Sequence, residues 1–388
     1  MFNRRKDSKE KESGGTMAAV EDEEELIVEK PNRARIRKAH DGVKMFEPVQ
    51  EGPLPVETPA AHYGNVSVAY SEHTNITQAM VVHDLAGISI AQWDPKLEKI
   101  RHVSFPVKDP KGTEGDETTK PIVMQAKFVT PANRNSPLIV VCSTAGVHFY
   151  DSTGNRNMLV FIGIHSIFKE NEAPSHVYGF TRGVTCVENT IFVGTHTGAI
   201  MLFNCSGSTS ISFKKCIYEH KSAIADMATC KFDDLTASAE GNGQIYVWTK
   251  MCKSINKRIT CDNDVTVINV LRKQVLVGSI HGQIYVYEAM TGVLRANVSA
   301  HCRPVTGISV APESAYVLTC SEDSTVRVFK LHTRKPEQFQ MEFRYGDILE
   351  DKLLVGCHFA NDRGSAMVFA IFDQPSLLHY KIYKKVTA

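Results

Sequence analysis

Short runs of alternating apolar and polar residues recur along the chain, and each run ends in an aromatic side chain. Clear examples are residues 244–248, 283–287 and 325–329, each of which follows a polar turn and an earlier apolar run. Side chains of a strand point alternately to the two faces of a sheet, so a period of two residues predicts strands and not helices. The sequence therefore predicts an all-β chain built from antiparallel hairpins.

This hairpin unit occurs seven times, and its terminal aromatic residue serves as an anchor for the alignment. The anchors are Trp93, Tyr150, Phe203, Trp248, Tyr287, Phe329 and Tyr380. Four units have a small residue five positions before the anchor, namely Gly198, Gly243, Gly282 and Ser324. The shorter spacings between anchors fall near the period of about 40–45 residues that is typical of propeller blades. Seven anchors predict seven four-stranded blades.

Two of these units carry polar residues at matching positions. The unit that ends at Phe329 has His301 near its start and Asp323 in its central turn. This arrangement resembles the WD-repeat family, in which a His, a Ser or Thr, an Asp and a Trp form a chain of hydrogen bonds that ties a loop to its blade. The resemblance implies a seven-bladed WD-repeat β-propeller in which these polar residues have a structural role.

The resemblance implies five such tether residues in this chain. They are His220, Ser238 and Trp248 in blade 4, and His301 and Asp323 in blade 6. Asn242 stands at the aspartate position of blade 4, and Phe329 replaces the tryptophan in blade 6, so the second chain of hydrogen bonds must end before its aromatic residue. The family's glycine before the histidine is replaced by Glu219 and Ala300.

Residues 184–331 resemble one particular member of the family, and weaker similarity runs from about Met45 to the end. That resemblance implies a non-enzymatic scaffold or adaptor that binds proteins through its propeller faces, can self-associate, and acts in receptor-linked vesicle trafficking and growth-factor/ERK signalling. The alternatives are a phosphoinositide-binding propeller and a cytoskeletal or ciliary one. Phe343-Arg344-Tyr345-Gly346 approaches a Phe-Arg-Arg-Gly phosphoinositide motif but lacks its second arginine.

A propeller must close, because an unpaired sheet edge invites aggregation. The last blade supplies only three strands, at about 353–359, 366–372 and 377–383, so its outermost strand must come from the N-terminal side. We predict this closing strand near residues 54–58, where Pro53 and Pro55 suit an edge position. Residues 108–120 are rich in charged and small residues and predict a surface loop between blades 1 and 2.

Charge is concentrated at the start of the chain. Residues 1–60 hold 24 charged side chains, 11 basic and 13 acidic, whereas the other 328 residues hold 63. A segment with so much charge buries too little apolar surface to offset its ordering entropy. We therefore predict a disordered tail over 1–50 and a propeller over 51–388. The net charge of +1 gives no general attraction to nucleic acid.

Targeting signals are not apparent in the sequence. No apolar run approaches the roughly 20 residues that span a bilayer, and residues 1–20 lack the apolar stretch of a secretory signal. Ten cysteines contain no Cys-x-x-Cys pair, which fits reduced thiols. We expect a cytoplasmic protein, in part vesicle-associated, without an integral membrane segment; the start of translation stays open between Met1, Met17 and Met45.

Signatures of catalysis, metal binding or cofactor binding are not found either. The chain has no P-loop, nucleophile elbow or His-Glu-x-x-His motif, so we predict no enzyme activity, no metal and no cofactor. His196 and His281 lie in equivalent turns of non-adjacent blades, too far apart to hold one ion. An enzyme that uses the central channel would need converging titratable groups there, and the sequence indicates none.

Partner binding is therefore expected at the loops of one face. Six residues lie in turns that the blade pattern places on the same side of the ring: His196, Lys221, Asn242, His281, Arg303 and Glu322. Arg303 follows the tethered His301 closely and is the candidate contact that we favour. The partners implied by the resemblance are receptor or trafficking complexes.

Overall fold

A computed structural model describes residues 45–382, apart from 55–57, 72–75, 85, 94–99, 109–120, 154–155, 165–178, 208–209, 231, 250–251 and 335–337. Over these residues, strands form seven four-stranded antiparallel sheets, which confirms the prediction of a seven-bladed β-propeller. The predicted tail up to residue 44, and residues 109–120 of the predicted loop, lie outside the described residues.

The first three blades follow one another along the chain. Blade 1 consists of β2 (Ser67–Ser71), β3 (Ile76–His83), β4 (Gly87–Trp93) and β5 (Ile100–Pro106). Blade 2 consists of β6 (Val123–Val129), β7 (Leu138–Ser143), β8 (Gly146–Asp151) and β9 (Met158–Gly163). Blade 3 consists of β10 (Thr181–Val187), β11 (Thr190–Thr195), β12 (Ala199–Cys205) and β13 (Ile211–Tyr218).

The next three blades repeat this order. Blade 4 consists of β14 (Ile224–Cys230), β15 (Leu235–Glu240), β16 (Gln244–Trp248) and β17 (Ile255–Thr260). Blade 5 consists of β18 (Val265–Leu271), β19 (Gln274–Ser279), β20 (Gln283–Glu288) and β21 (Leu294–Ser299). Blade 6 consists of β22 (Val305–Ala311), β23 (Tyr316–Ser321), β24 (Thr325–His332) and β25 (Gln340–Ile348).

Blade 7 combines the two ends of the described chain. Its inner strands are β26 (Leu354–Phe359), β27 (Ala366–Ile371) and β28 (Ser376–Ile382), and its outermost strand is β1 (Phe46–Pro53). All seven aromatic anchors lie on the third strand of their blade, as the repeat predicted. Closure by a segment from the N-terminal side is therefore present in the structure.

The position of this closing strand differs from the prediction. The strand expected near 54–58 lies at 46–53, so the propeller begins before residue 51. The observed strand contains Pro48 and ends at Pro53, which an outermost strand tolerates because its free edge needs no ladder donors. Prolines therefore indicated an edge strand correctly but did not fix its bounds. Leu54 is buried next to the strand, and its backbone N–H donates to the carbonyl of Pro375 over 2.6 Å.

Each pair of neighbouring blades shares a hydrophobic cluster. Leu318 and Phe369 join blades 6 and 7, for example, and Phe192 and Trp248 join blades 3 and 4. Successive side chains of an inner strand point to the two neighbouring blades, so Leu138 and Ile139 belong to different clusters and both are buried. Within the described ranges, no helix is long and apolar enough to cross a membrane.

The small residue before each anchor is required by the turn between the second and third strands. Gly243 has φ +94, and a Cβ there would lie 2.3 Å from the carbonyl oxygen of Cys261. Only glycine avoids that overlap in the left-handed region. Ser324 occupies the same turn in blade 6 with φ 64, so this blade tolerates a side chain where three others have glycine.

The direction of the strands defines two faces of the ring. The turns between the second and third strands lie on one side together with the connections between blades, and we call this side the top face. The turns between the first and second strands and between the third and fourth strands lie on the opposite side, the bottom face. All six candidate contact residues belong to turns of the top face.

Candidate interaction face and its tethers

The structure brings His220, Ser238 and Trp248 into one chain of hydrogen bonds. The Trp248 Nε1–H donates to Ser238 Oγ over 2.7 Å, and the Ser238 hydroxyl lies 2.6 Å from His220 Nε2. The other ring nitrogen, His220 Nδ1, lies 3.0 Å from Glu240 Oε1. Because an ionised carboxylate only accepts, Nδ1 carries the proton and Nε2 accepts from Ser238. The imidazole is thereby fixed in one neutral tautomer.

Glu240 is a tether residue that the sequence analysis missed. Its carboxylate accepts the backbone N–H of Lys221 over 2.8 Å and the Ser222 hydroxyl over 2.6 Å, so it fastens the connection from blade 3 to blade 4. Burial alone would raise the pKa of Glu240, but its hydrogen bonds outweigh burial and the pKa is lowered. Burial lowers the pKa of His220, and Glu240 opposes this only in part.

Asn242 does not take the aspartate position of this tether. It is exposed, and its amide donates to Ser222 Oγ over 3.2 Å while its Oδ1 accepts the backbone N–H of Gln244. The longer side chain of Glu240 reaches the histidine from two residues earlier instead. A pattern search at fixed spacing cannot find this exchange of aspartate for glutamate, because the carboxylate oxygen that contacts the histidine belongs to a residue at a different position.

The tether of blade 6 joins His301 to Asp323 through a threonine. The Thr325 hydroxyl lies 2.8 Å from His301 Nδ1 and donates to Asp323 Oδ1 over 2.6 Å, while His301 Nδ1 is 3.3 Å from that same oxygen. Thr319 Oγ1 lies 2.9 Å from His301 Nε2 and ends the chain, since Phe329 has no donor to continue it. The sequence analysis did not single out Thr319 or Thr325.

Asp323 also fixes the backbone of the connecting loop. Its Oδ2 accepts the N–H of Cys302 over 2.8 Å. Burial alone would raise the pKa of Asp323, but the hydrogen bonds from His301, Thr325 and the Cys302 backbone lower it strongly. The carboxylate therefore stays ionised and holds the loop in one conformation next to Arg303.

The six predicted contact residues differ in how far they reach into solvent. Lys221, Asn242, His281 and Arg303 are exposed, whereas His196 and Glu322 are partly buried. The Arg303 side chain is 64% exposed, and its Nε lies 3.7 Å from Glu322 Oε2. The tethers hold the backbone beside Lys221 and Arg303, so these two side chains project from ordered loops.

The two turn histidines have different surroundings. His196 Nδ1 lies 3.3 Å from both the backbone nitrogen and the carbonyl oxygen of Phe180, and its ring packs against the Phe180 ring. His281 is exposed. In the part of the chain that the structure describes, no three His, Cys, Asp or Glu side chains are grouped to hold a metal ion.

Polar groups do converge in the central channel, which the sequence analysis did not indicate. The first strands line a cavity of about 490 Å³. In it, Lys127 Nζ of blade 2 lies 2.8 Å from Asp226 Oδ1 of blade 4, and the second carboxylate oxygen accepts the backbone N–H of Ile268 in blade 5 over 3.1 Å. The pair connects three blades across the axis, and each of its charges is matched by the other.

The segment before β2 crosses the channel at the top face. Gly64 N–H donates to the carbonyl of Thr306 in blade 6, and Arg182 of blade 3 donates through Nη2 to the carbonyl of Tyr63 over 3.2 Å. Arg182 also donates through Nε to the carbonyl of Ala225 over 2.8 Å. Burial lowers the pKa of Arg182, with Asp226 acting against it. Opposite sides of the ring are thus tied through one crossing segment.

The arginine of Phe343-Arg344-Tyr345-Gly346 is engaged within its own strand. Arg344 Nη1 lies 3.1 Å from Glu342 Oε1, and Tyr345 packs edge-on against Phe46 of the closing strand with ring centroids 5.2 Å apart. The segment belongs to β25 and receives the side chain that seals blade 7. These contacts give it a structural role at the junction of blades 6 and 7.

Comparison with known proteins places this fold in a class. The chain is similar to WD repeat domain 54 of Rattus norvegicus, with 26% identity over 338 residues that cover 83% of this chain and 95% of the rat protein. It is 25% identical to WD repeat-containing protein 54 of Homo sapiens over 333 residues, which cover 81% of this chain and 93% of the human protein. A chain in the crystal structure of the mitotic checkpoint complex matches with a TM-score of 0.64 and 13% sequence identity. The match covers 87% of this chain and 96% of that chain. At this identity the similarity shows the fold alone.

Seven blades with an aromatic anchor on each third strand, of which blades 4 and 6 are tied by histidine-centred hydrogen bonds, define a WD-repeat β-propeller. The model of the WDR54 family matches residues 45–381. The chain therefore belongs to the WDR54 family, which confirms the resemblance inferred from residues 184–331.

Replacing Ser238 by alanine is expected to lower the free energy of unfolding by about 1–3 kcal/mol, because Trp248 Nε1 and His220 Nε2 both lose their buried partner. Denaturant unfolding followed by tryptophan fluorescence measures the change. Ser254→Ala in the same blade removes an exposed hydroxyl and is expected to change the value by less than about 0.5 kcal/mol. If Ser238→Ala and Ser254→Ala unfolded at the same denaturant concentration, the tether would not stabilise the blade.

Proposed function

We propose that this protein is a non-enzymatic scaffold that binds other proteins through the top face of its propeller. The observation that carries the proposal is the pairing of exposed side chains with tethered loops. Arg303 is 64% exposed, while the Ser321 hydroxyl donates to its carbonyl over 3.0 Å and Asp323 holds the preceding residue. A loop that is already ordered loses little conformational entropy when a partner binds.

The charge of the top face suits a partner with both acidic and polar groups. Lys221 offers a cation on the connection between blades 3 and 4, and Arg303 offers one on the connection between blades 5 and 6. Glu322 lies beside Arg303, and Asn242 and His281 add hydrogen-bonding groups. Arginine at the centre of a tethered loop is a common kind of binding hot spot, since it combines charge with a rigid set of donors. The occupant that these groups favour is a folded protein or an acidic peptide.

Membership of the WDR54 family supports a more specific setting. We propose that the scaffold acts in the cytoplasm and on vesicles, in receptor-linked trafficking and growth-factor/ERK signalling, and that it can self-associate. The supporting argument is the similarity over more than four fifths of the chain to mammalian members of the family. The channel groups Lys127 and Asp226 are paired with each other, which favours binding over catalysis.

Arg303→Glu is expected to abolish partner capture while leaving thermal stability unchanged, because the side chain is exposed and its loop is held by other residues. Proximity labelling in cells supplies candidate partners, and pull-down with the purified partner measures capture. Lys253→Glu, on an exposed lysine in the β16–β17 turn of the bottom face, is the matched control and is expected to bind normally. Normal capture by Arg303→Glu would remove this residue from the binding surface.

A further inference from the structure

A cavity of about 500 Å³ lies on the bottom face, at the outer part of blade 6 where it meets blade 5. Four of its lining side chains can carry positive charge: Arg272 from the turn between β18 and β19, Lys330 and His332 at the end of β24, and Arg334 just beyond it. Glu313 is the acidic residue of the lining. The site is separate from the top face of the proposed scaffold and goes beyond that function.

Three of these cations keep their charge available. Within the described ranges, no carboxylate lies within 4.0 Å of Arg272, Lys330 or Arg334. Arg272 donates through Nη2 to the carbonyls of Pro312 and Glu313, both over 3.4 Å, and carbonyl groups orient a guanidinium without neutralising it. Lys330 lies over a tyrosine ring, with Nζ 5.9 Å from the centroid. The lining therefore holds a local excess of positive charge.

Two acidic side chains near the cavity, Glu313 and Glu342, are already paired. Glu313 Oε2 lies 3.0 Å from Arg363 Nε, outside the set of cations that line the cavity, and Glu342 Oε2 lies 2.9 Å from His332 Nε2. Neither carboxylate lies within 4.0 Å of a side-chain nitrogen of Arg272 or Lys330. An anion that enters the cavity would meet cations whose charge the protein does not compensate.

The turn that delivers Arg272 has an unfavourable backbone. Arg272 has φ 51 and Lys273 has φ 60, so two consecutive residues with a Cβ occupy the left-handed region. Asn-Gly or Asp-Gly would form this tight turn with less steric cost. Lys273 N–H is held by Asp233 Oδ2 over 2.9 Å, which fixes the turn from the neighbouring blade. Positive φ also occurs in the equivalent turns of blades 3, 4 and 6, at Glu188, Asp234 and Ala315. This conformation therefore belongs to the hairpin, and its role here is to place Arg272 at the cavity.

We propose that this cavity binds the phosphate monoester of a phosphorylated serine or threonine presented by a partner protein. Two arginines and a lysine match a doubly charged phosphate, since the guanidinium fork donates two parallel hydrogen bonds to its oxygens. Ser314 and Thr333 also line the cavity and offer hydroxyl donors. A single carboxylate would satisfy fewer of these donors.

A membrane surface fits this site less well than a phosphorylated side chain. Glu313 and Asp362 are both exposed on the bottom face beside the cavity, and a plane of anionic lipid would bring them close to like charge. A phosphate at the end of a side chain reaches the cations in the concavity and leaves those carboxylates in water. The cavity lining includes none of the large exposed hydrophobic residues that would insert into a bilayer.

The test uses the full chain and a capped peptide, acetyl-Gly-Gly-phosphoserine-Gly-Gly-amide, with its unphosphorylated twin. Isothermal titration is expected to show binding of the phosphopeptide only, and Arg334→Glu is expected to weaken it at least tenfold, because one charge-assisted contact becomes a repulsion. Arg334→Lys retains the charge and is expected to restore part of the affinity. Lys253→Glu is the control, since Lys253 is exposed in the β16–β17 turn of the bottom face and does not line the cavity.

Three outcomes would overturn the proposal. The first is equal loss in Arg334→Glu and Lys253→Glu, which would indicate attraction to the bottom face as a whole. The second is flotation with phosphatidylinositol phosphate vesicles that depends on Arg334 while the phosphopeptide does not bind, which would assign the cavity to a lipid headgroup. The third is absence of phosphopeptide binding by the folded wild-type chain. Thermal unfolding of each variant establishes that it is folded.

Discussion

A chain that begins at residue 65 is expected to give no stable folded monomer, whereas one that begins at Met45 is expected to keep full stability. The first truncation removes β1 and the segment that crosses the channel, and it leaves the edge of β28 unpaired from Ser376 to Ile382. An exposed strand edge of that length also promotes aggregation. We expect a cost above about 5 kcal/mol, which is comparable to the whole stability of a typical domain. Size-exclusion chromatography and thermal unfolding measure both effects.

A point substitution separates the closing strand from the crossing segment. Phe46 is fully buried between Tyr345 and blade 7, so Phe46→Ala is expected to cost about 3–5 kcal/mol through lost burial and the cavity that remains. Val49 lies on the same strand with 42% of its surface exposed, and Val49→Ala is the matched control with an expected change below about 0.5 kcal/mol. If the residue-65 truncation were as soluble and heat-resistant as the intact chain, closure by β1 would be unimportant.

Asp226→Ala is expected to destabilise the propeller by about 3 kcal/mol, the second large effect. The substitution leaves the mostly buried Lys127 ammonium without its partner and frees the backbone N–H of Ile268. Removal of one member of a buried pair costs more than the pair contributes, because the other charge is left uncompensated. Denaturant unfolding gives the value.

The double variant Lys127→Met/Asp226→Ala distinguishes this charge effect from general damage to the channel. Methionine is similar in length to lysine and carries no charge, so the double variant is expected to recover much of the stability that Asp226→Ala loses. Asp226→Asn retains an oxygen for the Ile268 N–H and is expected to lie between wild type and Asp226→Ala. Additive losses in the double variant would show that the two side chains do not interact.

The blade count was predictable because one physical rule governs every unit. Each blade packs on two neighbours, so the inner strands are apolar on both faces, as Leu138 and Ile139 show. The aromatic anchor fills the space between blades, as Trp248 does between blades 3 and 4. Neighbouring blades bury the same kind of residue at each repeat, so even degenerate copies such as the one ending at Tyr150 follow the pattern. The repeated apolar runs and their aromatic anchors were therefore sufficient to predict the number of blades.

The channel network was not predictable from alternation. The pairing of β14 with β15 shifts register between Ile224 and Asp226, and the pairing of β6 with β7 shifts between Val123 and Gln125. A bulge inserts one residue and re-aims the side chains that follow it, so the period of two no longer says which face they share. Asp226 and Gln125 reach the axis through such bulges, and their partners come from blades distant in sequence.

The tethers show the limit of a motif with fixed spacing. His220, Ser238 and Trp248 stand at the positions implied by the family and hydrogen-bond to one another. Glu240 supplies the expected carboxylate from two residues before the aspartate position, and no fixed-spacing pattern contains this exchange. The cationic cavity of the bottom face was missed for a related reason, because Arg272 and Arg334 come from different blades and have no shared motif.

The pairing of Phe46 with Ile382 brings the two ends of the described ring side by side at one point of its rim. Attachment of a fluorophore or a bead at the exposed Val49 of the same outermost strand would leave the top and bottom faces of the ring open to solution. A short peptide joining Phe46 to Ile382 would also make the ring a continuous loop, which could be reopened at any exposed turn. The closure that stabilises the protein is thus also the natural place to immobilise or circularly permute it.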